Sequence, residues 1–423
     1  MRLSAALGPF LAVCAAACAL AVPATLSSKP PAAPDYKHLY ETHQWFALRD
    51  AVNAAAEHAP VFFKGAVEAA FNETEAADRD LKMDIRGEPH STRSPSARDL
   101  LVALYYRQGR YKTALTSFDL YHYTSANDDE NKERAMLVAM AQAGDLSVSV
   151  AKQSASVAID LVDGNLFLPI TVNNSPASYA FDNGASVSMM SESEAKRLGL
   201  TVQSTGASMY TMTGANIAMR IAIANDLAIG GMHFAHVVFD VVPDANPPFD
   251  ELPAGKRGII GLPVLLAMKN QRWSATKKTF EFNFLTAIVR TSATTYGLAL
   301  EDTSTFTQVL YKHTMLLMSL DTGAQHTYLY PTFTAAFPAV VAAGTKETKK
   351  VTGVGGSTDF DSVLLESVPL TVGGLPVTLK PAHVLAKDNT PTSKWFAGNV
   401  GMDLLNQSTT TTLDWTTMTI NLQ

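Results

Sequence analysis

The chain has 423 residues, which at about 100 to 200 residues per domain allows two to four domains, each with its own core. With 47% hydrophobic and 17% charged residues and a formal net charge of −6, it carries no basic surplus of the kind that phosphate-backbone binding needs. Nucleic acid is therefore excluded as an expected partner.

Residues 1–24 begin with Arg2 and run through an apolar stretch to Val22-Pro23-Ala24, the small-residue pattern of a signal-peptidase site. The apolar run of roughly 15 residues is short of the ~20 that a membrane span requires. A cleaved signal peptide and a secreted or periplasmic protein are expected. Both of the chain's two cysteines, Cys14 and Cys18, lie in this segment. Cleavage after Ala24 leaves a mature chain without thiols, disulfides or cysteine-bound zinc. Cleavage before Cys18 instead would give a lipid-anchored N-terminus, although Ala15 stands where such signals usually carry Leu. Residues 25–36, with "SSKPPAAPDY", read as a Pro-rich spacer.

From 37 to 150 the apolar residues recur at helical spacing: Trp45, Leu48, Val52 and Ala56, then Leu101, Leu104 and Tyr105, then Ala114, Leu115 and Phe118. The stretch "LYYRQGRYKTALTSF" (104–118) carries Tyr105, Gly109, Tyr111, Ala114 and Phe118 at the spacings of one tetratricopeptide repeat, with Gly109 at the interhelical turn. A helical, repeat-like domain is predicted, serving either as a spacer or as a peptide-docking module.

From about 150 the texture changes to short runs rich in Val, Ile, Thr and Phe, such as "LFLPITV", "IAMRIAIA", "HFAHVVFDVV" and "SVPLTV", separated by Gly and Pro. That pattern predicts an all-β region. An offset of 139 lays its second half on its first. It carries Asp182 onto Asp321, Gly184 onto Gly323, Ala185 onto Ala324 and Thr213-Gly214 onto Thr352-Gly353, and it brings Gly261 within one residue of Gly401. Gly-Gly turns recur in order, in "AIGGMHFAHVV" and "TVGGLPVTLKP". Order and spacing kept over more than a hundred residues identify a duplicated domain.

Within this frame the chain resembles the retropepsin-like aspartic proteases. "FDNGA" and "LDTGA" each follow an apolar strand, a Gly-containing hairpin lies about 30 residues on, and an apolar-apolar-Gly element lies about 80 residues on. The resemblance covers about 155 to 423 and implies a pepsin-like bilobal unit, with lobe 1 at 151–290 and lobe 2 at 291–423. It implies an aspartic endopeptidase with a peptide or protein substrate, no cofactor or metal, and an intramolecular lobe pair in a monomer.

The chemistry needs two carboxyls close enough to share one proton, the ionised one activating water and the protonated one donating to the carbonyl. Asp182 and Asp321 are the candidates. Gly184 and Gly323 permit close backbone approach. The resemblance gives Thr322 a cross-lobe hydrogen bond; Asn183, longer and planar, stands in the matching place and is expected to loosen that half of the lock. Ala185 and Ala324 offer no hydroxyl to the carboxylates, so an optimum nearer about pH 5 to 7 than pH 2 is expected. Flap hairpins are expected around Thr213, Gly214, Thr352 and Gly353. The resemblance also implies substrate-backbone contacts at Ser186 and Gln325, and a buttress of Ile259, Ile260 and Gly261 that Val400 and Gly401 repeat behind an unusual Asn399.

His233 and His236 in "HFAH" sit three apart on a predicted strand, face opposite sides and are expected to be structural. His326, close behind the second motif, reads as an exposed loop residue. A catalytically silent peptide-binding module is the rival to the enzyme, and a proenzyme covered by its helical segment is a third reading.

Overall fold

The computed structural model describes residues 34–55, 57–89, 93–121, 128–150, 154–210, 216–285, 296–387 and 394–423. The expected signal peptide, Cys14, Cys18, Thr213 and Gly214 lie outside them.

Among the described residues the N-terminal part is helical, with helices Tyr36–Glu41, Trp45–Ala54, Val61–Ala70, Thr74–Gly87, Ser94–Tyr106, Tyr111–Leu120 and Asp128–Ala141, each packed on its neighbour in the chain. Three- and four-residue spacing puts Trp45, Leu48 and Val52 on one buried stripe, and Leu101, Leu104, Tyr105, Ala114 and Phe118 on others. The chain reverses between Tyr106 and Tyr111 through Gly109, whose φ of 69° is the left-handed turn read from the sequence.

The β region begins earlier than expected. Ser147–Val150, assigned above to the helical domain, is a strand paired antiparallel with Met232–Ala235. Its Ser-Val-Ser-Val alternation has a period of two, which a helix cannot present as one face.

Among the described residues two sheets follow, of 11 and 15 strands. In both halves a Gly-Gly turn, Gly230-Gly231 and Gly373-Gly374, joins consecutive antiparallel strands with nearly identical φ pairs of 52° and 88°, and 53° and 89°. The division at 290 does not separate the sheets. Ala155–Ala158, Asn270–Ser274 and Thr279–Phe282 belong to the larger sheet, where Asn270–Ser274 pairs with Thr411–Asp414 and continues to Thr419–Leu422 and Tyr296–Glu301. Strand edges must be hydrogen-bonded wherever a partner edge lies alongside, and sequence order does not restrict that choice.

This shared strip roots the loop that carries Asp182. Phe181 is fully buried with its ring 5.1 Å from Phe280 and 5.5 Å from Trp273. Burial of one such ring is worth about 1.5 to 3 kcal/mol.

Candidate active site

Asp182 follows the strand Ser175–Phe181 and Asp321 follows Thr314–Leu320. Each strand is held by the same device. Gly258–Ile260 pairs parallel with the first, through Ile259↔Ala180 and Ile260↔Phe181, and antiparallel with Ser188–Ser191. Gly398–Val400 pairs parallel with the second, through Ser319↔Asn399 and Leu320↔Val400, and antiparallel with Tyr328–Leu329.

The buttress reaches the aspartates through main-chain bonds. The Asp182 amide donates to Ile260 O and the Asp321 amide to Val400 O, both at 3.0 Å. Leu262 N donates to Ala185 O at 2.9 Å, and Met402 N to Ala324 O at 2.8 Å. Gly261 and Gly401 pass so close to the loop backbone that a Cβ would lie 2.6 Å from Val187 C and 2.8 Å from Ala324 O.

Two residues not picked out in the sequence complete the device. Ser188 Oγ accepts from Gly261 N at 3.1 Å, and Thr327 Oγ1 accepts from Gly401 N at 2.9 Å. They are 139 apart, so the repeat offset was the signal that could have found them. Asn399, whose packing the sequence left in question, is buried with both amide atoms used. Its Oδ1 accepts from Tyr328 N at 2.9 Å, and its Nδ2 donates to His326 O at 3.1 Å.

The two loops meet face to face. A Cβ on Gly323 would lie 2.3 Å from Asp182 Cγ, and one on Gly184 would lie 2.6 Å from Asp321 Oδ1, so each glycine packs against the other half's carboxyl. Beneath them Thr322 Oγ1 accepts from Asn183 N at 3.0 Å and donates to Phe181 O at 3.4 Å. Asn183 returns both bonds: its Oδ1 accepts from Thr322 N at 2.8 Å and its Nδ2 donates to Leu320 O at 3.0 Å. Both side chains are fully buried. The loosened half-lock expected at Asn183 is therefore not found, because the carboxamide divides between its two ends the accepting and donating that a single hydroxyl combines.

Each carboxylate accepts from its own loop. Gly184 N donates to Asp182 Oδ1 at 2.7 Å, while Gly323 N and Ala324 N donate to Asp321 Oδ1 at 2.9 and 3.1 Å. These amides lower the carboxyl pKa values, but burial outweighs them. Asp182 is pushed well above the usual carboxylate range by burial and then by the charge of Asp321, and Asp321 is also raised by burial. Such a pair holds one proton over a wide pH range and titrates as a unit.

In the second half Thr345–Gly353 and Gly356–Leu365 form a long hairpin closed at Gly353↔Gly356, with Thr352 Oγ1 and Ser357 Oγ 2.7 Å apart across it. Its tip residue Val354 packs against Ala185, Met189, Val242, Phe249 and Ile259 of the first half. In the first half Gln203–Tyr210 and Asn216–Ala224 form the corresponding hairpin arms. Ser186 is half-buried, whereas Gln325 and His326 are exposed.

His233 Nδ1 lies 2.9 Å from Asp226 Oδ1 on the strand Met232–Ala235, and His236 falls beyond that strand with a φ of 66°. Among the described residues no group of three or more His, Cys, Asp or Glu is placed to hold a metal ion, and no helix is long and apolar enough to cross a membrane.

Residues 168–264 match the model of the aspartyl protease family. The match contains Asp182, Ser186 and the Ile259-Ile260-Gly261 buttress; Asp321 lies outside it. Among solved structures the chain is similar to a retropepsin-like aspartic protease from Rickettsia conorii, at 19% identity and a TM-score of 0.25 over 33% of this chain and 96% of that one. No curated protein matches the sequence.

Proposed function

We propose that this chain, whose residues 168–264 match the aspartyl protease family, is an aspartic endopeptidase of the retropepsin-like kind with a single site built from Asp182 and Asp321. The observation that carries the reading is the reciprocal contact of the two loops, in which each half's glycine packs on the other half's carboxyl above the Asn183–Thr322 lock.

In the reaction, the ionised member of the pair takes a proton from water as the water oxygen bonds to the peptide carbonyl carbon. The protonated member gives its proton to the carbonyl oxygen, which yields a gem-diol. As the gem-diol collapses and the C–N bond breaks, one of its hydroxyls returns a proton to the aspartate that had donated, re-forming a carbonyl, while the proton taken from water passes from the other aspartate to the leaving amine. Substrate binding beneath Val354 excludes water from these steps. Because burial raises both carboxyls, the singly protonated pair persists to higher pH than in a dyad further stabilised by hydroxyls, which supports an optimum nearer about pH 5 to 7.

Two lobes with a pepsin-like arrangement, a tetratricopeptide-like helical region, a peptide or protein substrate, a monomeric state and export by a cleaved signal peptide belong to the same proposal.

The test is cleavage of a diverse peptide mixture by the mature protein, read by mass spectrometry across pH 3 to 8, beside Asp182→Asn and Asp321→Asn. Each substitution is expected to lower kcat/KM by at least about a thousandfold, within the range general acid–base groups supply. Cleavage that survives both substitutions sinks the proposal, as does a wild type as inert as the variants.

A further inference from the structure

We infer that Tyr106, contributed by the helical region, walls off the substrate groove beside the first active loop and so limits how far a bound peptide extends in that direction. The inference rests on the aspartic-peptidase reading above.

The repeat offset of 139 makes Ser186 and Gln325 equivalent, each four residues past its aspartate. They sit on the two loops that meet at the carboxyl pair, one from each half, so a peptide laid across the pair passes from one loop to the other. Their surroundings differ. Gln325 is exposed, whereas Ser186 is half-buried, and Tyr106 packs against the apolar cluster that holds its neighbour Val187.

Tyr106 ends the helix Ser94–Tyr106, and its ring packs edge-on against Tyr111 at 5.4 Å and 74°. Tyr111, Met140 and Ala143 form one apolar cluster with Val187, Met219 and Ile221, so the helices are continuous with the core under the first active loop and the first hairpin. The helix Asp128–Ala141 also lies along the hairpin arm Gln203–Tyr210. In contrast, the second hairpin leaves most of both arms exposed or half-exposed, with Val351, Ser362 and Leu365 its buried residues.

The wall is also anchored at its far side. Trp45 Nε1 donates to Glu301 Oε2 at 2.7 Å, Asn72 Nδ2 donates to Trp415 O at 3.0 Å, and Phe46 fills the space that a side chain at Gly297 would need. Swinging the helical region aside would break all three contacts and expose the cluster around Tyr111. A substrate therefore meets Tyr106 as a fixed boundary, and the groove is long on the Gln325 side and short on the Ser186 side.

The test uses a statine-centred peptide lengthened by one alanine at a time toward its N-terminus or its C-terminus, with affinity measured by calorimetry on the full chain. For the wild type, affinity should keep rising toward one end. Toward the other end it should stop rising, or fall by about tenfold, within a few residues. Tyr106→Ala should relieve the restricted end by about fivefold or more while leaving the other end unchanged, and Tyr106→Phe, which keeps the ring, should retain the restriction. Affinity that climbs alike toward both ends in the wild type overturns the inference and leaves the peptidase reading standing, as does a Tyr106→Ala profile that superimposes on the parent. Failure of the shortest statine peptide to bind any of the three proteins removes the carboxyl pair as a peptidase site and the inference with it.

Discussion

Replacing Asn183 by alanine removes an acceptor and a donor at once. The Thr322 amide loses Asn183 Oδ1, and Leu320 O loses Asn183 Nδ2, at a position where the Asn183 side chain is fully buried. Each backbone group left unpaired away from water costs about 1 to 3 kcal/mol, so Asn183→Ala should destabilise by about 2 to 6 kcal/mol. With about 2.1 cal/mol/K of unfolding entropy per residue over residues 36–423, roughly 0.8 kcal/mol/K in total, that is a fall of about 2 to 7 °C in Tm. Asn183→Thr restores a group that accepts and donates, mirroring Thr322 with Asn183 N and Phe181 O, and should stay within about 1 °C of the parent. Scanning calorimetry of both variants, with Thr322→Ala and the double alanine variant added, also gives the coupling of the two side chains. A coupling of about 0.5 to 3 kcal/mol is expected for groups that share hydrogen bonds. An alanine variant as stable as the parent, or a threonine variant as damaged as the alanine one, would refute the reciprocal lock.

Asp240 is buried, its Oδ1 has no hydrogen-bond partner among the described residues, and burial pushes its pKa up to about 7. The folded state therefore binds a proton that the unfolded chain has already released between about pH 4 and 7. Stability is highest below that window and falls as pH rises through it, by up to about 4 kcal/mol. Asp240→Asn should remove this slope, gaining several degrees in Tm over the parent at pH 8 relative to the difference at pH 5; equal differences at the two pH values would contradict it. Gly323→Ala sets a methyl group 2.3 Å from Asp182 Cγ and must displace that carboxyl. A displacement of about 1 Å lowers kcat/KM by about a hundredfold, and activity within about threefold of the parent would show that the close approach is unimportant.

Much of the site was legible because its motifs recur at a fixed interval along the chain. The 139-residue offset pairs Asp182 with Asp321 from residue types alone, and the structure places Asn183 and Thr322, separated by that same interval, in one reciprocal set of hydrogen bonds. The offset also brings the buttress glycines, Gly261 and Gly401, within one residue of each other. At Asn183 the sequence misled, since size and planarity suggested a looser fit, and whether a carboxamide reaches a carbonyl depends on where the facing loop comes to rest. Asn399 misled for the same reason: a polar residue in an apolar slot is costly only when its partners are missing.

Local pattern is a property of neighbouring residues, so the chain's periodicities determined the helices from Tyr36 to Ala141, the strands that follow and the turns at Gly109, Gly230-Gly231 and Gly373-Gly374. Contacts between distant segments follow from which surfaces are left unpaired once those elements form, and no local pattern encodes them. Only the tertiary structure decided that Ala155–Ala158 and Asn270–Ser274 join the second half's sheet, that Ser147–Val150 pairs with Met232–Ala235, and that Tyr106 comes to rest against the cluster around Val187.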